Sequence, residues 1–163
     1  MKWLAARAYE QLQQIFTDED LLEETGIKNV VVGGDAFPEA SGIDGTDLVA
    51  LMPAVVIDGA PGDAVTYSNI AHHHQAFHAR VSIYLPFDPA SDNPEKASQD
   101  VVSLLLEELV KHQAPVTLTD GHLYSIEPGA VLGYDRSDSN FFGDLGLPVA
   151  VGRFDVVIKA EAF

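Results

Sequence analysis

Residues 77–85 read FHARVSIYL, and this stretch is the clearest indication of the fold in the sequence. At every second position it presents an apolar side chain, five in succession: Phe77, Ala79, Val81, Ile83 and Leu85. Successive side chains of a β-strand point to opposite faces of a sheet, so a period of two is the strand period. The stretch therefore predicts a long strand with one buried face, and Pro86 and Pro89 are placed to end it.

A cluster of histidines at the start of the same segment raises the possibility of a metal site. His72, His73, His74 and His78 are four of the six histidines in the chain. On an extended strand His78 lies about 13 Å beyond His74, whereas zinc requires its imidazole nitrogens at about 2 Å. The segment also lacks the glutamate of the helical zinc-protease signature. We interpret these imidazoles as a polar strand face or turn and expect no metal or other cofactor. A small metal-dependent enzyme using His72, His74 and a distant carboxylate is the alternative.

The composition limits the class of protein. The 163 residues, 47% of them apolar, suffice for one domain with its own core. The absence of cysteine excludes disulfides, thiolate zinc sites and a cysteine nucleophile. The sequence has no Gly-x-Ser-x-Gly elbow of a serine hydrolase, and no apolar run approaches the roughly 18 residues of a membrane span. We therefore expect a soluble, intracellular protein that is not an enzyme.

The charge balance is strongly acidic. Twenty-five acidic residues against nine basic ones give a formal net charge of −16. Binding to nucleic-acid phosphates depends on Lys and Arg, so the balance predicts no specific binding to DNA or RNA. The acids are spread along the chain, which favours an acidic folded surface over a disordered acidic tail.

Two longer helices and one short helix are predicted from apolar spacing and capping residues. The first is amphipathic and covers residues 2–16, and the longest covers about 94–112, with Asn93 as its cap and Pro94 at the first helical position. The residues expected to face inward on the long helix are Ala97, Val101, Leu104, Leu105 and Leu109. The short helix lies between them, with Thr17 as its predicted cap and Gly26 at its end.

The remaining segments predict strands and two long loops. Asp120-Gly121 is the pair that a two-residue hairpin turn prefers, and GAVLGYD (129–135) adds a further strand. Pro53 suits an edge strand or the start of a strand in the following AVVID. Loops are expected at about 33–47 and 136–148. The order of elements predicts a single α+β domain over residues 1–163, with a mostly antiparallel or mixed sheet and the helices on one face.

This order of elements resembles the tail terminator (tail completion) proteins of tailed bacteriophages. The resemblance rests on the amphipathic N-terminal helix, a glycine-rich first loop, LMPAVVIDG (51–59), FHARVSIYLPF (77–87), EKASQDVVSLLLEELV (95–110) and RFDVVIKAEAF (153–163). It covers nearly the whole chain, and the two long loops depart from a minimal version of the pattern.

Members of that family form a hexameric ring that caps the tail tube, stops its elongation and joins the tail to the head or neck. The resemblance implies a structural virion protein at the head-proximal end of the tail, assembled in the host cytoplasm. Its implied partners are other copies of itself, the tail tube protein, and neck or head-closure proteins. No catalytic residues carry over. A head-closure or neck connector protein of the same particle is the alternative assembly role.

Two sets of residues are candidates for contacts in such a ring. Phe37, Phe141 and Phe142 lie in the long loops, and the adjacent pair either folds back on the core or anchors a neighbouring subunit. A channel lined by carboxylates would repel passing DNA and let it move without specific binding. The candidate channel-facing acids are Asp18, Glu19, Asp20, Glu23, Glu24, Asp35, Glu39, Asp44 and Asp47.

Overall fold

A curled mixed sheet with helices packed on one face forms the part of the protein that the structure describes. The computed structural model describes residues 4–33, 50–59, 66–69, 74–90, 92–112, 115–135 and 148–162. Within them the helices are α1 (Ala5–Phe16), α2 (Glu19–Thr25) and α3 (Pro94–Lys111). The strands are β1 (Asn29–Val32), β2 (Ala54–Gly59), β3 (Thr66–Asn69), β4 (His74–Pro86), β5 (Val116–Thr117), β6 (Gly121–Asp135) and β7 (Val149–Ala162). The predicted α+β class with a mixed sheet is confirmed.

The long strand predicted from the opening stretch lies at the centre of the sheet. The strand order is β1-β2-β4-β7-β6-β5, and β3 also pairs with β4. β4 and β7 are antiparallel along their whole lengths, from His74 opposite Glu161 to Pro86 opposite Val149. β1 runs parallel to β2. Because β2 therefore has a neighbour on each side, Pro53 marks the start of an inner strand, and the edge-strand interpretation is wrong.

The core lies between α1, α3 and one face of the sheet. All five apolar positions of β4 that the sequence predicts to be buried are at most 8% exposed, and they belong to one cluster with side chains from β7 and both helices. Within it the rings of Phe16 and Phe154 meet edge to face, with centroids 6.3 Å apart. Fully burying one such side chain is worth about 1.5–3 kcal/mol, so this face supplies most of the packing that holds α1 and α3 on the sheet.

The inward face of α3 is rotated from the predicted one. Its buried residues are Ser98, Val101, Val102, Leu105, Glu108 and Leu109. Ala97 is exposed, so the prediction that it faces inward is wrong, whereas Leu104 is half-buried and packs against the core. The rotation brings Ser98 onto Gly152 of β7, so closely that a Cβ atom on that glycine would overlap the Ser98 Oγ.

The hairpin between β5 and β6 turns one residue earlier than the sequence predicts. The Leu118 backbone N–H donates to the Gly121 carbonyl at 2.7 Å, which leaves Thr119 and Asp120 as the two turn residues. Gly121 is the first residue of β6 and is buried. A Cβ atom there would overlap the Glu161 carbonyl oxygen. Close packing against β7, rather than turn conformation, therefore explains this glycine.

Helix caps follow the sequence with one correction. Asp18, not Thr17, caps α2, because its carboxylate accepts the Leu21 backbone N–H at 3.1 Å. The Thr17 hydroxyl instead donates to the Gln14 carbonyl at the end of α1. Gly26 ends α2 in the left-handed conformation, as expected. The cap predicted for α3 is present too, since the Asn93 side chain accepts the backbone N–H of Lys96.

Candidate assembly surfaces

The face of the sheet away from the helices carries charged and polar side chains. Arg80 of β4 and Asp155 of β7 lie directly opposite each other, and their Nε and Oδ1 atoms are 3.2 Å apart. Both side chains are partly buried. A cross-strand pair of this kind contributes roughly 0.2–1 kcal/mol, so it fixes strand register more than it adds stability.

The described histidines of the cluster lie along this polar face. His74 is half-buried opposite Glu161, and His78 is exposed opposite Val157. In the part of the chain that the structure describes, no three His, Cys, Asp or Glu side chains are placed to hold one metal ion. His72 and His73 lie outside the described residues, so a site built from His72 and His74 stays untested.

One end of the same face is apolar and buried. Met52, Ala54, Val56 and Val149 form a small second cluster, with Tyr84 packed against it. Each of the four is at most 1% exposed. This end of the sheet is therefore covered on both of its faces, and the polar part begins beyond it.

The predicted channel-facing acids fall into two groups. The structure places Asp18, Glu19, Asp20, Glu23 and Glu24 on the exposed side of α2. Asp18, Asp20 and Glu24 line a groove of about 220 Å³ between α2 and α3, together with Glu107 and Glu108. The other four predicted acids, Asp35, Glu39, Asp44 and Asp47, lie outside the described residues.

Two side chains at the C-terminal end of α3 hold Glu108 in this acidic groove. Its side chain is only 10% exposed. Lys111 Nζ lies 3.3 Å from one carboxylate oxygen, and His112 Nε2 lies 3.2 Å from the other. The Lys111 ammonium thus pairs with the one carboxylate of the groove that is buried, while the carboxylates of α2 face solvent.

A second groove lies between α3 and the strand β6. Its volume is about 400 Å³, and Val102, Leu106 and Val131 line it together with uncharged residues of α3 such as Ser98 and Ser103. We call it the α3–β6 groove. Val131 is 59% exposed, which is unusual for a strand valine beside a core. Among the described residues, the adjacent edge of β6 also has no further strand partner, because β5 pairs only with His122 and Leu123.

Sequence reasoning missed this surface. The sequence predicts GAVLGYD (129–135) as a separate strand, whereas β6 is continuous from Gly121 to Asp135 with shifts in register beside Leu123, Pro128 and Val131. The available signal was that only VTLT (116–119) lies between Pro115 and the Asp120-Gly121 pair, which is too short to cover a fifteen-residue neighbour. The predicted contact residues Phe37, Phe141 and Phe142 lie outside the described residues.

Comparison with known proteins shows similarity in fold only. No protein-family model and no curated protein sequence matches this chain. Among solved structures, a chain described as "Virion of native gene transfer agent (GTA) particle" superposes with a TM-score of 0.51 at 16% sequence identity. The match covers 94% of this chain and 90% of that one. The two chains therefore share their fold over nearly their whole lengths. No helix among the described residues is long and apolar enough to cross a membrane.

Proposed function

We propose that this protein is a structural component of a phage-like virion and has no catalytic activity. The observation that carries the proposal is the shared fold with a chain of a gene transfer agent virion, which extends over 94% of the present chain. The described surface adds support, because its most prominent features are an open strand edge and an apolar groove, both of which are typical of assembly contacts. The chain would then be found in the virion, bound to other virion components.

Within such a particle, we assign the protein the role of tail terminator. In that role several copies, six by family resemblance, close into a ring that caps the tail tube and meets the neck or head-closure proteins. A ring requires heterologous contacts between unlike surfaces of neighbouring copies. The order of elements that suggests this family in the sequence is compatible with the α1–β2–β4–α3–β7 succession of the fold.

The net charge of −16 supports a role in which DNA passes without being bound. Carboxylates repel phosphates. Binding to DNA is favoured when Lys and Arg side chains displace its counterions, and this chain has few of them. The exposed acids of α2, from Asp18 to Glu24, are the described candidates to face such a channel. Placement of these side chains on the outer rim of an assembled ring would contradict this part of the proposal.

A tube-capping assay tests the proposed role. The purified chain is added to polymerising tail tube protein of the same particle, and tube lengths and ends are examined by electron microscopy. A terminator is expected to shorten the tubes and to leave a distinct ring at one end. Tubes of unchanged length, with the protein bound instead to isolated head-closure proteins, would identify a neck connector.

The absence of catalysis is tested separately. Metal analysis of the purified protein is expected to find no stoichiometric zinc, iron or manganese, and a His72→Ala/His74→Ala double variant is expected to assemble like the wild type. Stoichiometric metal that is lost in the double variant would favour the metalloenzyme alternative instead.

A further inference from the structure

The outer edge of β6 is the longest strand edge without a strand partner among the described residues. β7 occupies one side of β6 along its length, and β5 pairs with only two residues on the other side. Pro128 has no backbone N–H and therefore cannot pair fully at its own position. Among the described residues, the parts of β6 without a strand partner on this side are 124–127 and, beyond Pro128, the longer stretch 129–135.

By contrast, the opposite edge of the sheet is protected. β1 is only four residues long, and the Gln13 side chain of α1 donates to the Val30 carbonyl at 2.9 Å. Short edge strands covered by a neighbouring element resist pairing with another chain. The two edges therefore differ, and β6 is the one suited to accept a strand.

The α3–β6 groove gives an added strand a place for its side chains. A strand paired with Gly129–Asp135 runs below the flank of α3, where Val102, Leu106 and Val131 already present apolar surface. Alternate side chains of the added strand point into this groove. Main-chain hydrogen bonds along the edge and apolar contacts in the groove are the two components of β-strand addition.

The distribution of charge indicates which partner can bind at the α3–β6 groove. The chain carries a net charge of −16, so two copies repel each other unless they meet where few carboxylates lie. Of the described residues that line the α3–β6 groove, Glu95 alone is charged. The groove between α2 and α3, in contrast, is lined mainly by carboxylates. The α3–β6 groove is thus the described surface at which a second copy can dock without burying an acidic cluster.

We propose that an extended segment of a second copy of this chain pairs with the open edge of β6 and fills the α3–β6 groove. This inference rests on the proposed ring-forming function and specifies the surface through which the copies associate. The contact is heterologous, because a groove and edge on one copy receive a different segment of the next, and such contacts close into rings.

Two lysine substitutions test it. Val131→Lys places a charge in the groove, whereas Val110→Lys changes a valine that is similarly exposed, at 55%, but lies on α3 outside the groove lining. Both variants are expected to fold, as judged by circular dichroism and melting. We expect Val131→Lys to weaken self-association at least tenfold in sedimentation experiments and Val110→Lys to assemble like the wild type.

The outcomes separate this inference from the proposed function. If the wild type and Val131→Lys assemble equally, or if both variants dissociate equally, the docking surface is wrong while the ring-forming role stands. If the wild type does not self-associate, the ring-forming role fails, and this inference fails with it.

A cross-linking experiment identifies the pairing directly. The chain contains no cysteine, so Ala130→Cys provides a single thiol on the open edge. After attachment of a photoreactive cross-linker, a mixture of isotopically light and heavy chains is irradiated and digested. Mixed light–heavy peptides that join residue 130 to an extended segment support the proposal. Cross-links confined to single copies overturn it.

Discussion

At the scale of single residues, two buried glycines show how closely the elements approach one another. Among the described glycines only Gly26 and Gly33 have positive φ, so the backbone conformations of Gly121 and Gly152 are open to other residues. What they lack is space, because a Cβ atom would overlap the Glu161 carbonyl oxygen at Gly121 and the Ser98 Oγ at Gly152. Packing between elements that are distant in sequence therefore decides both positions.

The contact at Gly152 predicts a rescue between two substitutions. Gly152→Ala is expected to lower the free energy of unfolding by about 1–3 kcal/mol, because the added methyl overpacks the contact with α3. Ser98→Ala removes the overlapping oxygen and leaves a Cβ at an ordinary 3.7 Å. The double variant should therefore recover most of the loss in urea unfolding. Additive losses in the double variant would show that the two residues do not meet as described.

The environment of Tyr9 predicts a loss of folding stability at high pH. Burial raises the pKa of the Tyr9 phenol above its usual 10.0, and the nearby Asp58 carboxylate adds to the rise. A group whose pKa is raised by folding stabilises the protein below its unfolded pKa, and the contribution is lost as the pH rises through the folded pKa. The melting temperature should thus fall above pH 10 less steeply in Tyr9→Phe than in the wild type. Equal slopes would contradict this.

At the scale of elements, the sequence predicts β4 and its buried face. It does not predict the rotation of α3, the position of the hairpin turn or the long edge of β6. The alternation from Phe77 to Leu85 depends on local spacing alone, and the buried face follows it without exception. The rotation of α3, in contrast, is set by Gly152 more than fifty residues later, and the hairpin shift by the packing of Gly121 on β7. The long edge of β6 depends on how little of it β5 covers. Such long-range contacts leave no periodic pattern.

Substitutions at two neighbouring residues of β4 are expected to change the free energy of unfolding by very different amounts. Phe77 is fully buried, so Phe77→Ala should cost about 3–5 kcal/mol of unfolding free energy. His78 is exposed on the other face, so His78→Ala should change the unfolding free energy by no more than about 1 kcal/mol. Chemical denaturation of the two variants measures both values. Comparable losses would mean that the two faces of the strand are not distinct.

At the scale of the whole molecule, the net charge determines the conditions under which the proposed self-association is favourable. A net charge of −16 opposes self-association through repulsion that salt screens, with a Debye length falling from about 10 Å at about 0.1 M to about 3 Å at about 1 M. Salt weakens the repulsion between copies that meet at the apolar α3–β6 groove. It weakens little attraction there, because only one residue that lines the groove is charged. The charge, the groove and the strand edge of β6 are thus compatible with one proposed mode of assembly.

The salt dependence of self-association follows from this. The apparent dissociation constant between copies is expected to fall when sodium chloride is raised several-fold from low ionic strength, as measured by sedimentation velocity. A dissociation constant that rises with salt would indicate contacts held by opposite charges. That result would contradict an interface based on the apolar groove.

Native mass spectrometry of the purified wild-type chain tests the central claim most directly, since a ring-forming virion subunit must close into a discrete assembly. We expect one dominant closed species, which for six copies of the 17.5 kDa chain has a mass of about 105 kDa. A strict monomer at every protein and salt concentration would contradict it.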